Sequence, residues 1–258
     1  MDLTCIRVQH DGPVTTLTID RPQVRNALDL QTAYELRQAV EATRARPELR
    51  VLVITGAGEQ AFVGGADLHE LERLDAQSGE RFIRALHEAF RAIRTHPAPV
   101  IAAVNGHALG AGLELVVSCD VAIAAAQARL GMPEVRLGLP SVIEAALLPQ
   151  LVGLMRAREL LLTGDPLDAW EAYRIGLVTQ VVPQAELPAA VRRMAERLMR
   201  CEARALTLQK ELLNRWLNLP MEEAIEAGIK SLALACATEA PRQAIAAFWA
   251  QRQASRPR

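Results

Sequence analysis

The sequence predicts an α/β protein in which strands and helices alternate along the chain. Three short apolar runs, at 51–54, 100–104 and 121–125, lack polar alternation and therefore suit strands that are buried on both faces. Helical periodicity lies between these runs, which is the pattern of βαβ units. From residue 184 onward the pattern is helical alone, so we predict an α/β core over 1–183 and a helical region over 184–258.

The individual elements follow in chain order. A β-hairpin is predicted where 5–8 and 14–20 flank an Asp-Gly turn, because this dipeptide favours tight turns between alternating strands. Asp29 is the expected N-cap of a helix that runs to about residue 44. Pro97 and Pro99 end the helix that precedes the second apolar run. Helices are predicted over 30–44, 80–95, 108–118, 187–200, 205–217, 221–236 and 242–253.

The composition excludes several classes of protein. Hydrophobic residues make up 50% of the 258 residues, which supplies a sizeable core and argues against disorder. The formal net charge is −1 and only 3% of the residues are aromatic, so a nucleic-acid partner is not expected. Lys210 and Lys230 are the only lysines, and the other 27 basic residues are arginines.

No segment is predicted to cross a membrane. The most apolar stretch, 100–126, carries Asn105, His107, Glu114 and Asp120, and so falls short of about 18 uninterrupted apolar residues. The four cysteines and five histidines lack the spacing of a metal site, and the N-terminus does not resemble a secretory leader. We therefore expect a cytoplasmic protein without a metal site.

Two glycine-containing loops follow predicted strands and can present backbone N–H groups to a ligand. The first loop is AFVGGADL at 61–68, and the second is NGHALGAGLE at 105–114. In the second loop the chain enters a helix near Ala111, whose N–H is unpaired at a helix start and is a candidate oxyanion donor. The first loop, considered alone, is also explained by a plain glycine turn.

Two glutamates are candidates for acid–base chemistry. Glu114 lies three residues after Ala111 on the same helix face and is flanked by apolar residues, so its pKa should rise. Glu134 follows Pro133, which stiffens the segment that presents it. Paired carboxylates that share one space can act as acid and base. The alternatives are a structural carboxylate bound by backbone N–H groups at Glu114, and a surface loop residue at Glu134.

Further motifs are spaced along nearly the whole chain. They are, in order, Asp20-Arg21-Pro22 with Asn26-Ala27-Leu28, Ser118-Cys119-Asp120, Met132-Pro133-Glu134, Leu162-Thr163-Gly164 and Ala172 with Gly176-Leu177-Val178. Together with the loops at 61–68 and 105–115, which resemble two oxyanion-hole motifs, they resemble the crotonase, or enoyl-CoA hydratase/isomerase, superfamily. The resemblance implies an α/β, crotonase-like fold of repeated ββα units with a C-terminal helical region that mediates trimer contacts.

The resemblance also implies a substrate and residue roles. The family binds acyl-CoA thioesters, with coenzyme A as part of the substrate and no further cofactor, and its members form trimers or hexamers. The N–H groups of Ala66 and Ala111 would hold the thioester oxygen. Glu114 and Glu134 match the two glutamates that handle water in the hydratases, with the same separation of 20 residues. Contacts with CoA are expected at Gln23, Val24, Arg25, Ala66, Asp67, Leu68, Phe248 and Arg252.

The function predicted from this resemblance is hydration of a 2-enoyl-CoA, because isomerases typically keep only the position of Glu134. The alternatives are Δ3,Δ2-enoyl-CoA isomerisation, other enolate chemistry on acyl-CoA, and non-catalytic binding of CoA or RNA. The sequence departs from the hydratase pattern at Ile143 and Glu144, where glycines are typical. Glu144 is therefore either a third active-site carboxylate or an exposed glutamate at a helix start. Phe248 and Arg252 are alternatively a core aromatic and a solvent-exposed arginine.

Overall fold

Residues 3–254 are described by a computed structural model of the chain, and they form ten strands and eleven α-helices. The strands are β1 (Ile6–Asp11), β2 (Val14–Ile19), β3 (Val51–Gly56), β4 (Ala61–Val63), β5 (Val100–Val104), β6 (His107–Leu109), β7 (Val121–Ala125), β8 (Arg129–Gly131), β9 (Leu167–Asp168) and β10 (Gln180–Val182). The helices are α1 (Leu30–Thr43), α2 (Leu68–Leu71), α3 (Ala76–Arg94), α4 (Ala111–Val117), α5 (Leu148–Val152), α6 (Leu154–Thr163), α7 (Ala169–Arg174), α8 (Leu187–Met199), α9 (Ala203–Trp216), α10 (Met221–Cys236) and α11 (Ala240–Ala254). Within this range no helix is both long and apolar enough to cross a membrane.

The strands form two sheets, and from β3 to β8 consecutive strands alternate between them. The larger sheet has the order β1-β2-β3-β5-β7-β10, with β1 and β2 antiparallel and the other neighbours parallel. The smaller sheet has the order β4-β6-β8-β9, in which β4, β6 and β8 run parallel. The pairs β3-β4, β5-β6 and β7-β8 are each followed by helical structure. The predicted α/β fold of repeated ββα units is therefore confirmed.

The main core lies on one face of the larger sheet, against α1 and α3. Three of the four phenylalanines, Phe62, Phe82 and Phe90, are fully buried there among aliphatic side chains. Burying one such large apolar side chain contributes about 1.5–3 kcal/mol relative to leaving it exposed. Small buried side chains let α1 and α3 approach each other closely; they include Ala33, Ala39, Ala85 and Ala89.

A second apolar cluster lies on the opposite face of the larger sheet, under α8. Along β3, Leu52 and Ile54 belong to the main core, whereas Val51 and Val53 belong to the second cluster. This alternation follows from the two-residue period of a strand. The prediction of a strand buried on both faces is thus confirmed for this run. The first helix of the predicted C-terminal region covers the sheet directly, through side chains such as Leu187.

Two helices begin three or four residues away from their predicted starts. α3 starts at Ala76 rather than residue 80, because Asp75 and Ser78 form a capping box in which each side chain binds the other's backbone N–H. The helix predicted over 108–118 is wrong at its start, because His107–Leu109 pairs as the strand β6 and α4 begins only after Gly110. The positive φ of Gly110, 52°, separates the strand from the helix.

A buried ion pair fastens α9 to the body of the protein. Lys210 Nζ lies 2.6 Å from Asp120 Oδ2, and it also donates to the carbonyls of Ile93 and Ala98 at 3.3 Å. Only 8% of the Lys210 side chain is exposed. A buried ammonium needs such partners, because desolvation of an unpaired charge is costly.

Removing this ammonium is expected to destabilise the fold. Lys210→Ala leaves Asp120 unpaired at the base of β7 and should lower the free energy of unfolding by about 3 kcal/mol. The matched control is Lys230→Ala, since the Lys230 side chain is 69% exposed and pairs with Glu226 on the surface of α10. That change should stay within about 0.5 kcal/mol of the wild type. Urea unfolding measures both values, and equal losses would contradict a buried anchor.

Candidate active site

Three loops converge because each leaves the carboxyl end of a neighbouring strand in the smaller sheet. The order β4-β6-β8 brings the segments that carry Ala66, Ala111 and Glu134 together, although they are widely separated in sequence. The carboxyl ends of adjacent parallel strands are a common location for ligand sites. The N–H of Gly110 donates to the carbonyl of Gly131 at 2.8 Å, which joins the second loop to the third.

The backbone N–H of Ala66 points away from the neighbouring segment, which contains Leu28. Leu28 and Ala66 form an isolated parallel bridge, in which Leu28 N–H binds the carbonyl of Gly65 and Asp67 N–H binds the carbonyl of Leu28, both at 2.8 Å. Alternate residues of a strand direct their backbone groups to opposite sides. The N–H of Ala66 therefore faces the other side. Gly65 has a φ of 124°, which a residue with a side chain rarely adopts.

A second N–H is available at Ala111, the first residue of α4. Residues in the first turn of a helix have no carbonyl partner inside it. The close seating of α4 on β4 fixes this N–H: a Cβ on Gly112 would lie 2.1 Å from the carbonyl oxygen of Val63. Only glycine permits that approach. The two loops that carry Ala66 and Ala111 also meet, since a Cβ on Gly65 would lie 3.3 Å from the carbonyl oxygen of Leu109.

Glu114 lies inside the protein on α4, with 4% of its surface exposed. Its Oε1 accepts a hydrogen bond from Ala145 N–H at 2.9 Å. Burial raises the pKa of Glu114 to about 8, with further contributions from the carboxyls of Glu134 and Glu144, while the bond from Ala145 opposes the rise. At neutral pH this carboxyl therefore carries a proton in most molecules. The sequence offered two interpretations of Glu114, a structural carboxylate bound by a backbone N–H and one member of a pair of glutamates. Both apply, since Glu114 is bound by Ala145 N–H and is close enough to Glu134 for the two carboxyls to interact.

Glu134 lies directly against the start of α4. A Cβ on Gly110 would be 2.4 Å from Oε1 of Glu134, so the glycine makes room for this carboxyl. Oε2 accepts a hydrogen bond from the hydroxyl of Ser141 at 2.9 Å. Burial raises the pKa of Glu134, and the bond from Ser141 opposes the rise. Glu134 is thus part of a glutamate pair rather than an isolated surface residue.

Ser141 has a role that the sequence did not predict. It lies seven residues after Glu134, and the chain returns through Gly138, whose φ is 77°. The backbone also closes on itself, since Leu139 N–H donates to the carbonyl of Glu134 at 3.1 Å. Gly138 followed by Leu139-Pro140 indicates this turn in the sequence. That the Ser141 hydroxyl binds Glu134 follows only from the tertiary structure, in which the turn brings the two side chains together.

The same turn brings a third carboxyl beside the pair. Glu144 is 3% exposed, and its Oε1 lies 2.9 Å from His87 Nδ1. The prediction of an exposed glutamate at a helix start is therefore wrong. The reason is that the 3-10 turn Glu144–Leu147 packs inward against α4, which brings Glu144 next to Glu114.

Comparisons with known proteins agree with this geometry. The model of the enoyl-CoA hydratase/isomerase family matches residues 9–255. A crotonyl-CoA hydratase from Syntrophomonas wolfei is 38% identical over 251 residues, which is 97% of this chain and 96% of that protein. A short-chain-enoyl-CoA hydratase from Clostridium acetobutylicum is 35% identical over 254 residues, covering 98% and 97% of the two chains. The chain belongs to the enoyl-CoA hydratase/isomerase family.

A solved structure from the same family confirms the fold. The crystal structure of an enoyl-CoA hydratase from Bacillus anthracis superposes with a TM-score of 0.93 at 30% identity, and covers 96% of this chain and 97% of that one. The predicted crotonase-like fold is therefore confirmed, and so is the prediction of an enzyme of enoyl-CoA hydratase type. Within residues 3–254 no group of three or more His, Cys, Asp or Glu side chains is arranged to hold a metal ion.

The residues near the N-terminus that are predicted to contact CoA lie close to the loop that carries Ala66. Gln23, Val24 and Arg25 lie on or beside a short 3-10 turn, and Gly64 N–H donates to the carbonyl of Arg25 at 2.9 Å. This turn is therefore adjacent to the loop that continues to Ala66 and Leu68. Leu68 is 59% exposed, so it is open to a ligand.

Asp67 is occupied by structural contacts. Its carboxylate caps α2 by accepting from His69 N–H at 3.0 Å, and it pairs with Arg21 at 3.1 Å. Arg21 also binds Asp29 at 2.8 Å, so one guanidinium joins the two segments. Arg21 belongs to the family motif at 20–22, but the sequence did not predict that it links the segments that carry Asp29 and Asp67.

Phe248 and Arg252 are not brought to the glutamates in the single chain. Both lie on α11, whose main contacts are with α10. Phe248 is 55% exposed, so the alternative prediction of a core aromatic is wrong, while Arg252 is exposed as that alternative expected. Phe248 packs on Trp249 instead, with ring centroids 5.5 Å apart. Their contact with CoA stays a prediction.

Proposed function

We propose that this chain catalyses the hydration of a 2-enoyl-CoA thioester, adding water across its 2,3 double bond. The observation that carries the proposal is the convergence of Glu114 and Glu134 at the start of α4, beside the N–H of Ala111. Water addition needs one group to hold the water and one to move its proton, whereas moving a double bond needs a single base. The hydratase relatives from Syntrophomonas and Clostridium support the same reaction.

The backbone supplies the stabilisation of charge. When hydroxide adds to carbon 3, negative charge develops on the thioester oxygen as an enolate. The N–H groups of Ala66 and Ala111 would bind that oxygen, and because they are held by the sheet and helix they need no reorganisation during the reaction. We assign these two N–H groups as the oxyanion hole.

The two carboxyls divide the proton handling. Glu114 holds the water through the oxygen that Ala145 does not bind, while Glu134 activates it. Ionised Glu134 takes a proton from the water as the carbon 3–oxygen bond forms, and then gives a proton to carbon 2 as the double bond is lost. One water is consumed and both carboxyls return to their starting states. The reaction so balanced uses no cofactor beyond the CoA of the substrate.

The activity is expected to depend on pH in a bell-shaped manner. Glu134 must be ionised, so activity falls at acidic pH, while ionisation of Glu114 above about pH 8 adds a second negative charge beside the developing enolate. The alkaline limb of kcat/KM should therefore lie near pH 8, as a property of the coupled pair. A pH series with one 2-enoyl-CoA measures it, and activity that still rises beyond pH 9 would contradict the assignment.

Incubation with a panel of 2-enoyl-CoA and 3-enoyl-CoA thioesters tests the function directly. Loss of the conjugated double bond absorbance, with a 3-hydroxyacyl-CoA product identified by mass spectrometry, is the expected result. Conversion of 3-enoyl-CoA into 2-enoyl-CoA without hydration would establish an isomerase instead. Salt-sensitive RNA retention without turnover would favour a binding protein, and failure with every 2-enoyl-CoA rejects the proposal.

We propose that Gln23, Val24 and Arg25, with the backbone from Ala66 to Leu68, bind the CoA portion. Their support is that the two segments are hydrogen-bonded neighbours beside the Ala66 N–H. Phosphate oxygens of CoA suit backbone N–H groups and arginines. Protection of these segments from hydrogen exchange by a saturated acyl-CoA would support the assignment, and protection elsewhere alone would reject it.

We also propose that the chain forms a homotrimer or a hexamer through its C-terminal helices. The support is a set of large apolar side chains that are more than half exposed on α10 and α11: Ile225, Ile229, Leu232, Leu234, Ile245, Phe248 and Trp249. Exposed apolar patches of this kind mark protein contacts. Sedimentation equilibrium gives the mass, and a monomer at micromolar concentration would contradict the proposal. The cytoplasmic location stays a prediction.

A further inference from the structure

Glu144 is a buried charged residue that the proposed reaction does not use. Its Oε1 lies 2.9 Å from His87 Nδ1 and 3.5 Å from Arg94 Nη2, and both partners belong to α3. Its Oε2 has no hydrogen-bond partner among the described residues, and neither has the buried Nε of Arg94. The cluster thus reaches from the half-exposed ring of His87 to the interior beside Glu114.

Stability alone does not account for this cluster. Burying a carboxylate costs free energy, and its ion pairs offset that cost only when both oxygens have hydrogen-bond partners. A protein with well-packed apolar residues at such positions is often equally stable or more stable. One oxygen of Glu144 is unsatisfied. The neighbours Ile143 and Ala145 are apolar, so the turn itself does not require a charge. A role in the adjacent site explains the cluster better.

The next residue in the chain connects the cluster to that site. Ala145 N–H donates to Oε1 of Glu114 at 2.9 Å. One short turn is therefore attached to α3 through Glu144 and to the water-holding carboxyl through Ala145. Helix α3 is in turn bound to α9 at this point, because the side-chain amide of Asn214 donates to the carbonyl of Arg94 at 2.9 Å.

We propose that Glu144 is a positioning residue for Glu114. Held on α3 by Arg94 and His87, it fixes the turn that binds Glu114 and keeps a negative charge behind that carboxyl, so that Glu114 enters the reaction with its proton. This inference rests on the proposed hydration, because it assigns the state in which Glu114 holds the water.

The charged groups around Glu114 determine the sign of the expected effect. Burial raises the pKa of Glu114 most, and Glu134 and Glu144 raise it further. Glu144 is faced by His87 and Arg94, which oppose the rise in its own pKa caused by burial. Removing the charge of Glu144 therefore lowers the pKa of Glu114. The alkaline limb of activity should then move to lower pH.

The test compares pH profiles of kcat/KM for the wild type and three variants. Glu144→Gln keeps the size of the side chain and removes its charge, so the alkaline midpoint should fall by about half a pH unit or more. Glu144→Asp keeps the charge and should leave the midpoint close to that of the wild type. Glu88→Gln is the matched control, because Glu88 lies on α3 but pairs with Arg37 at the surface.

An unchanged midpoint in Glu144→Gln overturns the inference, as does an equal shift in Glu88→Gln. If Glu144→Gln does not fold, the double variant Glu144→Gln with Arg94→Gln removes both charges of this ion pair and leaves neither without its partner. The same downward shift is expected there. Carbon-13 NMR of the Glu114 carboxyl follows its titration without substrate. Failure to hydrate any 2-enoyl-CoA would reject the proposed function, and the NMR titration would still test the role of Glu144.

Discussion

Glu134→Gln is expected to reduce kcat for hydration by about 10²–10⁴-fold, the usual contribution of a positioned acid or base. The amide has nearly the shape of the carboxyl and can still accept the hydrogen bond from Ser141. It cannot take a proton from water or return one to carbon 2. Stopped-flow absorbance of a 2-enoyl-CoA measures the rate, and calorimetry with a saturated acyl-CoA measures binding.

Binding is expected to survive this change, because none of the proposed contacts with the thioester or with CoA comes from the side chain of Glu134. The matched control is Glu88→Gln, which removes a carboxylate from the surface of α3 and should leave kcat unchanged. A Glu134→Gln variant that turns over at the wild-type rate would exclude Glu134 as the acid–base group. A parallel loss of acyl-CoA affinity would instead indicate a disturbed site.

Ala111→Pro is expected to reduce kcat/KM by about 10²–10³-fold, as the loss of one oxyanion-hole donor does elsewhere. Proline has no N–H, yet it suits the first position of a helix, which Ala111 occupies in α4. The preceding residue is also compatible. Gly110 has φ 52° and ψ −122°, the mirror image of the extended conformation that proline favours before it, and glycine adopts both.

The control for this variant is Ala111→Gly, which retains the N–H and should stay close to wild-type activity. Circular dichroism and thermal unfolding establish whether α4 keeps its place in the proline variant. A folded Ala111→Pro protein with unaltered kcat/KM would show that the Ala111 N–H is not an oxyanion donor. Loss of activity in both variants would point to packing rather than to the missing donor.

Local chemistry explains the parts of the fold that the sequence predicted well. Asp29 caps α1 by accepting from Thr32 N–H at 2.8 Å, and the Asp-Gly turn joins β1 and β2, because both depend on residues close in sequence. The start of α3 was missed although the Asp75–Ser78 pair is also local. The strand β6 was missed for a different reason, since its three residues are strand only by pairing with β4 and β8.

The sequence by itself determined the strands β1, β2, β3, β5 and β7, most of the longer helices, the two glycine loops, the candidate glutamates and the family to which the chain belongs. These follow from periodicity, turn chemistry and motif spacing, which act over a few residues. The tertiary structure alone decided that Ser141 binds Glu134 and that Glu144 is buried behind Glu114. Desolvation and Coulomb interactions depend on distances between segments far apart in the chain, so the properties of these carboxyls exist only once β4, β6 and β8 lie side by side.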